Sequence, residues 1–131
     1  MTDDLHYLAY SAILTWLMLM TASFVRSKAW TPQGFMLGLG NRDDLPEPSA
    51  IAGRADRAAK NMLENLLIFA VFVLVARLGG TPPDDIATGA AVFFWARVAY
   101  FFIYLAGIPI LRTAAWCVSI AGLIMILLAS H

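Results

Sequence analysis

Four stretches of this 131-residue chain, at about residues 5–27, 51–78, 85–106 and 110–130, are long and apolar enough to cross a lipid bilayer. A hydrocarbon core of roughly 30 Å takes about 20 helical residues, so each is predicted to be a spanning helix. The run Gly79-Gly80-Thr81-Pro82-Pro83-Asp84-Asp85 stops the second helix and restarts the chain, with Asp84 or Asp85 placed to cap the third. Gly107-Ile108-Pro109 leaves almost no room between the third and fourth. Connections that short force consecutive helices to run antiparallel. The expected fold is therefore an all-α membrane protein, a four-transmembrane-helix up-down bundle in a single domain spanning 1–131.

Composition supports that class. Hydrophobic residues make up 60% and charged residues 14%, against roughly 45–50% and 25% in soluble domains. The formal net charge is zero, so nucleic acid is not an expected partner. The single cysteine, Cys117, excludes an intrachain disulfide and reads as a small buried hydrophobe. His6 and His131 lack metal-ligand spacing, and no metal site is expected. Met1-Thr2-Asp3-Asp4 lacks the positive start of a cleaved signal peptide, so the first apolar stretch reads as a permanent span.

The connection at 28–50 is rich in glycine and proline and exceeds the roughly 12–15 residues usual for an unstructured link. It reads as a functional lid or a mobile segment, with Phe35, Met36, Leu37 and Leu39 available to rest on the membrane surface. Orientation follows from the cations. Arg26, Lys28, Arg42, Arg54, Arg57, Lys60 and Arg112 lie on the side of this loop, and Arg77 lies on the other. The loop and its neighbouring polar face are therefore expected to be cytoplasmic, with both termini on the non-cytoplasmic side.

Polar groups then interrupt the apolar pattern in two places. In the second span Arg54, Arg57, Asn61, Glu64 and Asn65 fall within an arc of roughly 100°. Surface solvation alone does not require such clustering where a helix enters lipid. An intramembrane carboxylate is a functional hypothesis by default. In the third span Arg97, Tyr100 and Tyr104 share an arc of roughly 60°. Arg97 is roughly 13 Å along the helix from its cytoplasmic end, where an arginine costs ~2.5–3.5 kcal/mol. Glu64 is the acid within reach, and a Glu64–Arg97 ion pair is predicted. Arg112 opens the last span. With Arg26, Arg54, Arg57 and Lys60 it collects at one membrane level, which suits an anionic ligand, carboxylates above all.

The pattern Arg54-x-x-Arg57-Ala58-x-x-Asn61-x-x-Glu64-Asn65, followed by Arg97-x-x-Tyr100-x-x-x-Tyr104 and an arginine opening the last helix, resembles the MAPEG family. These are membrane-associated proteins in eicosanoid and glutathione metabolism. Within it the chain looks similar to the bacterial-type microsomal glutathione transferases. The resemblance covers nearly the whole chain. It implies a homotrimer with glutathione, as co-substrate, held between neighbouring subunits near the cytoplasmic face. It implies glutathione contacts from Arg57, Asn61, Glu64, Tyr100, Tyr104 and Arg112, and less directly from Arg26. Arg112 would hold the sulfur as thiolate. Lys60, Thr113 and Gly53 depart from residues common among relatives, which bears on the identity of the electrophile.

The residue chemistry agrees with that implication. Glutathione carries two carboxylates, an ammonium and a thiol. Arg26, Arg54 and Arg57 could take carboxylates and Glu64 the ammonium, with Arg97 completing the candidate binding set. A nearby fixed cation lowers a thiol pKa from about 8.5 toward neutrality, and the thiolate is the competent nucleophile. A lipophilic electrophile or hydroperoxide would reach it from the lipid bilayer. The alternative is a non-catalytic lipid- or glutathione-binding scaffold on the same fold. A pore is disfavoured, because the polar groups gather at one membrane level and trace no path across.

Overall fold

The computed structural model describes residues 1–43 and 45–130; His131 lies outside the described residues, as does Asp44 within the long connection. Five helices follow in chain order: α1 Asp3–Ser27, α2 Pro32–Leu39, α3 Ala50–Leu78, α4 Pro83–Ala106 and α5 Pro109–Ala129. All but α2 are long and apolar enough to span a membrane. The protein is an all-helical, four-helix membrane bundle.

Local chemistry sets the helix ends. Ser49 Oγ accepts from the Ala52 N–H at 3.2 Å and starts α3, satisfying one of the orphan donors of a first turn. The 29 residues of α3 reach about 44 Å at 1.5 Å each, so its first turns project beyond a ~30 Å hydrocarbon core. Neither Asp84 nor Asp85 caps α4; Pro82 occupies the N-cap position and both acids lie in the first turn. There they complement the positive end of the helix dipole.

Small residues bring the helices close, as bilayer packing favours. Gly89 of α4 and Gly122 of α5 cross backbone to backbone. A Cβ on either would stand 2.7 Å from the other's carbonyl oxygen. Ala55, Ala58 and Ala59 are buried in the first half of α3, while Phe69 and Phe93 stack at 4.2 Å deeper in the core. The buried stripe of α5 runs through Ser119, Gly122, Leu123 and Ile126. Cys117 stands roughly 200° around the helix from Ser119 and is exposed, which corrects the expectation that it is buried.

The 28–50 connection holds a short helix that its glycine and proline content does not announce. Thr31 Oγ1 accepts from the Gly34 N–H at 3.0 Å and caps α2. Gly34 presses on the end of α1, where a Cβ would lie 2.0 Å from the Lys28 carbonyl oxygen. Arg42 reaches back to donate to Ser23 Oγ at 2.7 Å and the Gly38 carbonyl at 3.1 Å. Phe35, Met36 and Leu39 remain exposed.

The bundle has two unlike ends. One holds the α1–α3 connection and the α4–α5 turn. At the other, Arg77 near the end of α3 meets the buried carboxylate of Asp4 at 2.8 Å, and Thr2 bonds to both.

Candidate functional site

The first half of α3 and the last half of α4 run antiparallel into the end that holds the α4–α5 turn. Their polar stripes meet there, and the first turn of α5 closes the group. The centre is Arg97, whose side chain is fully buried. Its Nη2 donates to Asn61 Oδ1 at 2.8 Å, its Nε to the Met62 sulfur at 3.2 Å, and its Cζ lies 4.1 Å from the Tyr100 ring centroid. Arg97 Nη1 has no hydrogen-bond partner among the described residues.

The predicted Glu64–Arg97 ion pair is absent. Glu64 is exposed and forms no ion pair among the described residues. Arg97 reaches α3 at Asn61 and Met62. Glu64 stands two residues beyond Met62, roughly 200° around the helix. The polar arc straddles the boundary between bundle interior and exterior, and Glu64 falls on the outer side. Neutral partners replace the acid. A charge-assisted hydrogen bond contributes about 1.5–3 kcal/mol and a desolvated cation–π contact about 2 kcal/mol. Together they are large enough to offset the ~2.5–3.5 kcal/mol insertion cost of the buried guanidinium.

Asn61 is oriented by this network. Its Oδ1 accepts from Arg97 and, at 3.3 Å, from Asn65 Nδ2, which also bonds the Asn61 backbone carbonyl at 2.8 Å. With the oxygen engaged on the core side, the Asn61 amide N–H groups are left as donors. Asn61 also lines a cleft of about 160 Å³, together with Tyr100, Arg112, Thr113 and Trp116.

The tyrosines form the wall behind Arg112. Tyr100 and Tyr104 meet edge to face at 5.4 Å, and Arg112 Cζ lies 4.6 Å from the Tyr104 ring centroid. The Tyr104 hydroxyl accepts from Arg57 Nε at 3.2 Å. Arg57, Asn61, Arg97, Tyr100, Tyr104 and Arg112 are thus one connected group. The other three predicted residues stand apart from it. Arg54 donates instead to the Leu105 carbonyl at 3.1 Å. Arg26 is half-buried, and its Nη1 is buried without a hydrogen-bond partner among the described residues. Glu64 looks outward. Lys60 also leaves the cluster, pairing with Asp56 at 3.0 Å on the exposed surface.

Sequence reasoning missed Met62 as the acceptor beneath Arg97 and Trp116 as a wall of the cleft. Trp116 was within reach of it, since it stands four residues after Arg112 on the same helical face. Among the described residues, no group of three or more His, Cys, Asp or Glu side chains comes together to hold a metal.

Four spanning helices with a cleft lined by Arg112 and Tyr100 at one end define a multi-pass membrane protein. The profile of the MAPEG family matches residues 5–130, and the chain belongs to that family. No curated protein matches the chain at a significant level. Members of the family generally use glutathione, which supports a glutathione-related role at a membrane in general terms.

Proposed function

We propose that the chain is a membrane glutathione transferase, with peroxidase capacity, in which Arg112 holds the glutathione sulfur as thiolate. The observation that carries this reading is the company of Arg112. It shares the cleft with Asn61 and Tyr100, lies over the Tyr104 ring, and has no acid paired with it among the described residues. A guanidinium without a carboxylate partner remains available to an anionic sulfur.

Arg57 and Arg26 take carboxylates of the tripeptide, with Asn61 and the tyrosine hydroxyls as hydrogen-bond partners. A cleft of about 160 Å³ is smaller than the roughly 300–1,000 Å³ that enclose a drug-sized ligand. Part of glutathione therefore extends beyond one chain, which supports a homotrimer with the site shared between neighbours. Glu64 fits the same arrangement. A carboxylate in a spanning helix is costly facing lipid, and on a subunit boundary it meets the glutathione ammonium. The excess of Lys and Arg at this end supports a cytoplasmic active face and non-cytoplasmic termini.

In conjugation, the thiolate attacks an electrophilic carbon, the carbon–sulfur bond forms, and the leaving group departs with the electron pair. With a hydroperoxide, the thiolate attacks the terminal oxygen and the O–O bond breaks. The alkoxide takes a proton to leave as alcohol, and a second glutathione converts the sulfenic acid to disulfide and water. Both oxidant and reductant are supplied by the substrates.

The test is an absorbance difference measurement in the thiolate band when glutathione is added to purified protein, with turnover of a chlorodinitroarene and an organic hydroperoxide. The expected result is a thiolate signal and turnover in wild type, both lost in Arg112→Ala. Glutathione binding with neither signal nor turnover would overturn the enzyme reading in favour of a scaffold.

A further inference from the structure

We infer that Arg54 is a positioning residue for Arg112, acting through the α4–α5 turn, and not a ligand for a glutathione carboxylate. The inference rests on the proposed glutathione reading for its catalytic consequence, but its structural part stands on the turn alone.

The last carbonyls of a helix lack intrahelical partners. In α4 the Ile103 carbonyl accepts from the Ile108 N–H at 3.4 Å and the Tyr104 carbonyl from the Gly107 N–H at 3.0 Å. Leu105 is the next in line, and its carbonyl accepts from Arg54 Nε at 3.1 Å, a bond between residues 51 apart in sequence. A side chain from the start of α3 thus completes the cap of α4. The cation also lies at the negative end of the α4 dipole, where positive charge is favourable.

Gly107 makes the contact possible in two ways. Its φ is +77°, a left-handed conformation costly for other residues. A Cβ there would stand 3.4 Å from Arg54 Cζ, 3.5 Å from Nε and 3.6 Å from Nη1. The guanidinium therefore lies along the bare backbone of the turn.

Little slack separates this anchor from the catalytic position. Gly107 and Ile108 are the only residues between α4 and α5. The Arg112 N–H donates to the Ile108 carbonyl at 3.1 Å, closing the first turn of α5. Where Ile108 sits decides where Arg112 points. The groups facing Arg112 are Tyr100 and Tyr104 of α4 and Asn61 of α3, with Arg57 on the Tyr104 hydroxyl and Arg97 against Tyr100. A misplacement of about 1 Å in such a site can cost of the order of 100-fold in rate.

The experiment compares full-length wild type with Arg54→Ala, Arg54→Lys and Gly107→Ala in detergent. The first readout is hydrogen exchange in the segment 105–116 without ligand. The second is the pH dependence of the glutathione thiolate absorbance at saturation. The third separates kcat from KM for glutathione with a chlorodinitroarene. Arg54→Ala and Gly107→Ala are expected to raise exchange in this segment about tenfold. Both should raise the bound thiol's apparent pKa by about one unit, a tenfold fall in the thiolate at fixed pH, with KM changed less than threefold. Arg54→Lys should restore part of each effect. Gly107→Ala keeps Arg54 itself and carries the test if Arg54→Ala does not fold. A tenfold rise in KM at unchanged thiol pKa would make Arg54 a substrate ligand and overturn the inference. So would unchanged exchange, or faster exchange with thiol pKa and kcat unmoved. A wild type without thiolate would overturn the proposed function instead, while the exchange data would still decide the role of Arg54 in the turn.

Discussion

The two ends of the bundle treat buried charge in opposite ways. At one end Asp4 is fully buried and matched by Arg77, with Thr2 completing the group. At the other Arg97 is equally buried but held by an amide oxygen, a sulfur and an aromatic face, with no acid paired to it among the described residues. The first arrangement is electrically closed and ties the start of α1 to the end of α3. The second keeps a net positive charge beneath a cleft that already holds Arg112. Both join helices, but only the first does so with opposite charges.

The contrast can be broken or sharpened by substitution at each end. The largest effect is expected from Arg112→Ala, which should lower turnover about 100-fold, or about 2.7 kcal/mol of barrier, while leaving thermal unfolding nearly unchanged. Steady-state kinetics beside a melting curve checks both parts. Asp4→Asn should do the reverse. Breaking a buried pair costs up to about 3–5 kcal/mol, but the side chain of Arg77 is 31% exposed and can recruit water, so a loss of about 2 kcal/mol is expected. Thermal unfolding in detergent should fall, and glutathione affinity by calorimetry should hold.

Arg97→Met probes the open end from below. An apolar side chain of similar reach relieves an unpaired buried cation, so the melting temperature should hold or rise. The Asn61 oxygen loses its strongest donor, the amide is free to turn, and glutathione affinity should fall about tenfold, or 1.4 kcal/mol. If stability and affinity instead fall together, the two ends are alike and the distinction fails. Lys60→Ala is the smallest expected effect. The Lys60–Asp56 pair is exposed on both sides, and its loss should change stability by less than about 0.5 kcal/mol with no effect on binding.

Much of this architecture is legible in the sequence because lipid imposes a simple rule. Long apolar runs must be helices, since no water is present to satisfy the backbone, and the short turns at 79–82 and 107–108 fix their antiparallel order. Helix α2 is harder to read. Its start depends on one threonine cap, and its glycines serve close contact with α1 where composition alone suggests looseness. The site divides along the same line. Arg97, Tyr100 and Tyr104 are readable because they share a narrow arc that must face inward as a unit. The wider arc on α3 cannot say which of its members faces in, and Glu64 shows the consequence. Arg54 is legible as a cation near the site, but nothing local reveals that a carbonyl 51 residues away claims it.

The sequence by itself determined that this is a four-span membrane bundle with most of its cations gathered at one end, because hydropathy and charge act residue by residue. Only the tertiary structure decided which partners those cations take. That choice depends on the rotation of α3 against α4 and on the closure of the α4–α5 turn. Close contact between Gly89 and Gly122 holds α4 against α5, and Gly107 lets the turn close against Arg54. A rotation of some tens of degrees separates an inward side chain from an outward one, and no pattern along a single helix fixes it.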